Sequence, residues 1–447
     1  MIRAELPITY HTVTLGALTR DGDALAEITW QDEPGEERTH TLHVPAGLPG
    51  ETVTIAIEAA ASPPRRRKRH WKSRPPRVWI TEIQQASPLR VEAPCPVFGV
   101  CGGCQLQHMR YESQLAWKHS IVRQLLQESG FDNPPVLETV ACDDPWHYRN
   151  HMRFSVNRDG QPGLTARGTH RVLPLTCCPI AHKQINRVLG VLSILPNERP
   201  QALVRCGAVT GHVLIQPHPR EDVARQLVEE GLDLRSEAME ERLGGEAFRI
   251  RPSSFFQTNT AQAEKMVRIV LDGLLDDTAS EASSCLAPAR GTFSGGQVTT
   301  TFRTIVDAYC GVGTFALLLA RHVGKVIAIE ESASAIKDAE WNLREVHNVE
   351  IRKGKVEDLL PTLECQVDGL VIDPPRAGCQ QAVLDALVRH PIGRIVYVSC
   401  DPATLARDLH ILCNVHPTYR LRSVQPLDMF PQTAHIECVA ILEHRQL

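Results

Sequence analysis

The stretch Ile305–Ala320, IVDAYCGVGTFALLLA, decides the fold. It reads as a buried strand, a tight turn through Gly311 and Gly313, and an apolar helix. The glycines let a ligand approach the backbone, and the helix start offers free N–H groups. Working outward, KVIAIE, DGLVID, RIVYVSC and HIECVAIL are further apolar strands separated by helical stretches. That alternation is the pattern of a doubly wound α/β sheet, a Rossmann-like domain.

The strand KVIAIE ends in Glu330. A carboxylate at the tip of the second strand suits the ribose hydroxyls of an adenosine. The fuller G-x-G-x-x-G and the P-loop lysine of phosphate binders are both absent. Strand, G-x-G and acidic tip together favour S-adenosylmethionine over NAD.

Two later strand ends carry chemistry. RIVYVSCDPATLARDL puts Cys400 after a strand, with Asp401 as expected helix N-cap and Pro402 in the first turn. A thiol beside a helix N-terminus is expected to favour the thiolate. DGLVIDPPRAGC ends in Asp373, whose carboxylate can accept from the N–H edge of a base, followed by Arg376. In the last strand Glu437 lies between Ile436 and Cys438, and burial there raises a carboxyl pKa towards that of a general base.

A thiolate, a base and a methyl donor in one crevice fit methylation of uracil carbon 5. That carbon is too weakly nucleophilic to attack a sulfonium unaided. Addition of Cys400 to carbon 6 makes an enolate that can take the methyl group, after which Glu437 removes the carbon 5 proton. A uridine in folded RNA would have to be flipped out to reach such a site. Asp-Pro-Pro also occurs in amine methyltransferases, but those carry an aromatic after the prolines and need no thiol. RNA cytosine-5 methylation expects a Cys where Arg376 stands. A regulator that binds RNA through an iron–sulfur centre without catalysis would leave Cys400 and Glu437 without purpose.

Toward the N-terminus, HTVTLGAL, ALAEITW, THTLHVPA and ETVTIAIEA alternate like short strands between turn signals, suiting an OB-like five-stranded barrel. The basic run Pro63–Arg77, PPRRRKRHWKSRPPR, surrounds Trp71 and can follow a phosphate backbone while stacking a base. Next comes CPVFGVCGGC, with Cys95, Cys101 and Cys104, and further on TCCPIA offers Cys178 or Cys177 as a fourth thiolate. By spacing alone zinc and a [4Fe–4S] cluster are equally good readings.

These expectations give four segments: a barrel over 1–62, a basic linker over 63–94, a cysteine-bearing α+β middle domain over 95–235, and the methyltransferase domain over 236–447. A Ser/Gly-rich stretch near 278–302 reads as a flexible insertion in the last. At 447 residues, with 43% hydrophobic and 22% charged residues, the composition is that of a multidomain globular enzyme. A net charge of −4 argues against a uniformly basic nucleic-acid binder, though not against a local basic patch. The N-terminus has no signal-like apolar run and FALLLA is too short to span a bilayer, so a cytoplasmic monomer is expected, with no disulfide framework from its 14 cysteines.

The motifs CPVFGVCGGCQLQH, CCPI, SFFQTN, DAYCGVGTF, DPPRAG, VYVSCDPATLARDL and FPQTAHIE together resemble those of the bacterial RNA 5-methyluridine methyltransferases. They are most similar to the ribosomal-RNA branch, which has an N-terminal TRAM domain and an iron–sulfur cluster. The resemblance implies Cys400 as nucleophile and Glu437 as proton acceptor. It implies S-adenosylmethionine contacts from Gln257, Tyr309, Glu330 and Asp373, and [4Fe–4S] ligation by Cys95, Cys101, Cys104 and Cys178. The substrate it implies is ribosomal RNA, with transfer RNA the alternative. Lys355 departs from the small polar or acidic residue that relatives place near the adenine, so no contact is assigned to it.

Overall fold

The computed structural model describes residues 8–33, 36–58, 77–195, 199–275 and 304–446. The basic run up to Pro76 and the Ser/Gly-rich stretch near 278–302 lie outside them. The chain forms two compact units, residues 1–114 with 164–173 and 432–434, and residues 115–163 with 174–431 and 435–447.

The first unit is built on five strands, β1 (Ile8–Thr14), β2 (Ala24–Glu33), β3 (Glu36–Val44), β4 (Thr52–Glu58) and β5 (Arg77–Gln85). They pair as a three-stranded sheet, β1-β4-β5, and a hairpin, β2-β3. Leu15, Ala24, Ala26, Ile28, Leu42, Val44, Val53, Ile55 and Ile57 form one buried core between them. This is the β-rich N-terminal body expected from the alternating runs. Its fifth strand begins at Arg77, the last residue of the basic run, in a stretch expected to be linker.

Helix α1 (Tyr111–Glu128) leads into the second unit. Next along the chain, β6 (His151–Val156), β7 (Pro162–Thr165), β8 (Val172–Pro174), α2 (Lys183–Ile194), β9 (Gln201–Cys206), β10 (His212–Gln216), α3 (Glu221–Glu229) and β11 (Asp233–Arg235) form an α+β layer, with β6 paired to β9 and β9 to β10. A hairpin, β12 (Met239–Leu243) and β13 (Glu246–Ile250), and the helix α4 (Thr260–Leu275) follow.

The rest is the doubly wound domain: β14 (Thr304–Ala308), α5 (Thr314–Leu319), β15 (Lys325–Glu330), α6 (Ala333–Asn342), β16 (Val349–Lys353), α7 (Val356–Leu359), β17 (Gly369–Ile372), α8 (Gln381–Arg389), β18 (Arg394–Ser399), α9 (Pro402–His410), β19 (Tyr419–Leu427) and β20 (Glu437–His444). The sheet order is β16-β15-β14-β17-β18-β20-β19, parallel except for β20, which is antiparallel to both its neighbours. Alternate residues of each strand enter opposite cores. Ile305, Val326, Ala328, Val371, Val396 and Val439 face one, and Val306, Ile327, Ile329, Leu370, Ile395 and Ala440 the other. A sheet covered on both faces needs the near-continuous apolar runs seen in the sequence. The strand order reverses between β14 and β17, so their carboxyl ends open the crevice where such sheets bind ligands. Among the described residues no helix is long and apolar enough to cross a membrane.

Candidate active site

The floor of the crevice is the turn after β14. Gly313 takes φ +86° as the residue before α5, and Gly311 takes φ +55° with open space where a Cβ would stand. Tyr309 also has positive φ, +62°, an uncommon conformation for a bulky residue and one that clusters at ligand sites. Burial pushes its phenol up, so it stays a neutral donor. Beneath the turn, Asp307 is fully buried and accepts from the Ala316 backbone N–H at 2.8 Å, while its Oδ1 has no partner.

Glu330 closes the next strand. Its Oε2 accepts from Gly311 N at 2.9 Å and its Oε1 from Ser332 N at 2.7 Å. It therefore shapes the turn, and each oxygen keeps a lone pair for a further donor. Gln257 lies on the loop before α4, half-buried, with its carbonyl held by Asn150 Nδ2 at 3.0 Å. Asn150 Nδ2 also reaches Thr260 Oγ1 at 3.1 Å, and its backbone N–H donates to Thr258 O at 2.9 Å. Sequence reasoning missed Asn150, because a lone Asn carries no signature until its partners are known. Lys355 is exposed just before α7.

Asp373, Arg376, Cys400 and Glu437 form an electrostatic group at the ends of β17, β18 and β20. Ser399 pairs with Cys438 across β18 and β20, so Cys400 follows on opposite Glu437. Burial pushes the Cys400 thiol up to about 11, and the charges of Glu437 and Asp373 add to the rise. Arg376 opposes it, by its charge and by a hydrogen bond to the thiol. Glu437 is buried and its carboxyl lies well above the usual carboxylate range, through desolvation first and then Asp373. Burial alone lifts Asp373 to about 7.

One expectation is overturned. Asp401 does cap α9, accepting from Ala403 N at 3.0 Å and Thr404 N at 3.3 Å, with Pro402 in the first turn. By doing so it takes the N–H groups that were to favour a thiolate, and the resting Cys400 is a protonated thiol. Arg376 is the cation that faces it, a part the sequence did not assign.

In the first unit Cys95, Cys101 and Cys104 are half-buried. Gly103 N donates to Cys101 Sγ at 3.4 Å, and burial, then the neighbouring Cys95, push the Cys101 thiol up. In the second unit Cys178 is buried and Cys177 exposed. Asn186 brackets Cys178, accepting from its N–H at 2.8 Å and donating to its carbonyl at 3.0 Å. Among the described residues no three His, Cys, Asp or Glu side chains are arranged to hold a metal ion.

Comparison with known proteins agrees with this architecture. Residues 296–445 match the tRNA (uracil-5-)-methyltransferase family model. An uncharacterized RNA methyltransferase of Gloeobacter violaceus is 35% identical over 97% of this chain and 96% of its own. One from Halalkalibacterium halodurans is 31% identical, covering 96% of each chain. Among solved structures, the Pyrococcus abyssi tRNA (uracil-54, C5)-methyltransferase with S-adenosyl-L-homocysteine shares the fold, with a TM-score of 0.68, 24% identity, and coverage of 96% of this chain and 99% of that one. The chain belongs to the S-adenosylmethionine-dependent RNA (uracil-5-)-methyltransferase family.

Proposed function

We propose that this enzyme forms 5-methyluridine in RNA by covalent catalysis, with Cys400 as nucleophile and Glu437 as base. The observation that carries the reading is the grouping of a thiol and a buried carboxyl at adjoining strand ends with a guanidinium from the loop after β17. Cys400 releases its proton to solvent and its sulfur bonds to carbon 6, while the ring π electrons move to oxygen 4 as an enolate. S-adenosylmethionine, when bound, supplies an electrophilic methyl group to carbon 5 and leaves as a neutral thioether. Glu437 then accepts the carbon 5 proton, the ring double bond re-forms, and the thiolate is expelled. Arg376 favours the ionised sulfur before addition and after elimination.

The residues present suit a cationic nucleoside. Gly311 leaves space at the turn, Asp307 keeps an unpartnered oxygen, the charges of Glu330 and Asp373 reach that carboxyl, and Glu437 neighbours Asp373. We assign the donor's contacts to Gln257, Tyr309, Glu330 and Asp373. We assign ribosomal RNA, in the large subunit, as substrate, on the resemblance of the barrel and cysteine motifs to that branch. Transfer RNA is the alternative, and mapping 5-methyluridine in both RNAs of a deletion strain separates them.

Cys95, Cys101, Cys104 and Cys178 are proposed to carry a [4Fe–4S] cluster. Four thiols are the right donors, and the burial of Cys178 against the exposure of Cys177 favours the former as ligand. No step of methyl transfer runs through it.

The test of the mechanism is Glu437→Gln. The amide keeps the shape but accepts no proton, so the variant should add, methylate and stall with RNA bonded to Cys400. That adduct should survive denaturing electrophoresis and carry label from a radioactive methyl donor, and Cys400→Ala should give neither adduct nor product. Turnover by Glu437→Gln near the wild-type rate would remove Glu437 as the base.

A further inference from the structure

The motif that carries Cys400 continues as Pro402-Ala-Thr-Leu-Ala-Arg-Asp408, and the chemistry above uses nothing after Pro402. Thr404, Arg407 and Asp408 are spaced three and four apart and so share one face of α9. All three grip the backbone of the loop after Asp373. Thr404 Oγ1 donates to Arg376 O at 3.1 Å, sharing its proton with Asp401 O at 3.0 Å. Arg407 Nη2 donates to Ala377 O at 3.0 Å and Cys379 O at 3.5 Å. Asp408 Oδ2 accepts from Cys379 N at 2.8 Å and from the Tyr397 hydroxyl at 2.6 Å, and its Oδ1 from Arg407 Nε at 2.8 Å.

The fit is tight enough to dictate a residue. Gly378 has φ +77°, and a Cβ there would lie 2.5 Å from Arg407 Nη2 and 2.7 Å from Asp408 Oδ2. Asp408 itself is fully buried.

We propose that Thr404, Arg407 and Asp408 are positioning residues that clamp the 373–379 loop to α9 and so hold Arg376 against Cys400. The helix that begins beside the nucleophile thereby also carries the grip on its cation, and thiol and guanidinium move as one piece. A merely structural clamp would hold the loop without affecting the thiol. The proposal rests on Cys400 being the nucleophile, but its first readout does not.

That readout is the rate of alkylation of Cys400 by iodoacetamide in the free full-length enzyme, followed on its own peptide by mass spectrometry from pH 7 to 10, where the rate scales with the thiolate fraction. The charged and titratable groups facing the thiol are Asp373 and Arg376 on the loop, Glu437 and Cys438 on β20, and Asp401 beside it. None is altered in Thr404→Val or Arg407→Ala. Both variants should lower the alkylation rate throughout that range. Loss of one hydrogen bond should slow adduct formation by Thr404→Val about five- to tenfold in the Glu437→Gln background. Thr404→Ser should restore both, and S-adenosylmethionine affinity should stay within about twofold of wild type.

Wild-type alkylation and adduct rates in both variants would overturn the clamp. So would loss of S-adenosylmethionine binding in step with adduct formation at an unchanged alkylation rate, which marks a role in folding alone. If Glu437→Gln without the clamp substitutions forms no adduct on substrate RNA, the covalent mechanism fails. The alkylation rate then still decides whether α9 holds Arg376 on the thiol.

Discussion

Exchanging S-adenosylmethionine for S-adenosylhomocysteine removes one positive charge and one methyl group, and this crevice should register the charge as a proton count. Asp373 sits at about 7 because burial penalises its carboxylate, and among the described groups of the site only Arg376 is cationic. A unit positive charge about 5 Å from a carboxylate, at an effective dielectric of about 20, is worth about 3 kcal/mol, or roughly two pKa steps. At pH 6.5 Asp373 is then roughly three-quarters protonated in the free enzyme and almost wholly ionised beside a sulfonium. Binding the sulfonium should therefore release about 0.7 proton more than binding the thioether. Titration calorimetry in two buffers of different ionisation enthalpy reads that difference directly. A raised acid is already ionised above its folded pKa, so the Asp373 share should fade as pH passes 8, while any share from Glu437 persists higher. Asp373→Asn should remove most of the difference at pH 6.5. Equal proton release for the two ligands would refute the claim that these carboxyls answer the charge of the methyl donor.

The remaining predictions are shorter. Anaerobically purified protein should carry about four irons per chain, lost in Cys178→Ala and kept in Cys177→Ala; stoichiometric zinc without iron would contradict it. Asp307, lifted to about 8 chiefly by burial, binds its proton more tightly folded than unfolded. Its contribution to stability is complete below about pH 4 and is lost as pH rises through 8, at about 1.4 kcal/mol per pKa step. Asp307→Asn should then melt higher than wild type at pH 9 but not at pH 4, and a gain of equal size at both would show that ionisation is not the cause.

How much of this was legible in the sequence depended on the kind of interaction. The parallel strands announced themselves because burial on both faces demands runs such as KVIAIE and RIVYVSC. The strand β19, YRLRSVQPL, was not read as one, because it lies at the sheet edge with Arg420 exposed and Arg422 half-buried. β5 was hidden for a similar reason, since most of its residues are exposed and it begins at the last residue of the basic run. At the site, Cys400, Glu437 and Asp373 could be found because their types are unusual at strand ends. Asn150 and Asp408 could not, because each acts through backbone groups far away in sequence, Gln257 O for one and Cys379 N for the other.

The misjudged thiol shows why those hidden partners matter. Raising a thiol from 9.0 to about 11 cuts its thiolate at neutral pH by about two powers of ten. Nucleophilicity rises with basicity at a Brønsted slope of about 0.4–0.5, which returns only about one of them. A helix N-terminus would have avoided the loss, but Asp401 has taken its N–H groups, and the two acid neighbours deepen it. The pull of Arg376 is already part of that balance, and its loss would deepen the deficit; it is an exposed side chain on a loop, whose long stem would wander if its backbone did. A loop held at Arg376 O, Ala377 O, and both N–H and carbonyl of Cys379 is therefore what this nucleophile requires, and the second turn of α9 supplies it.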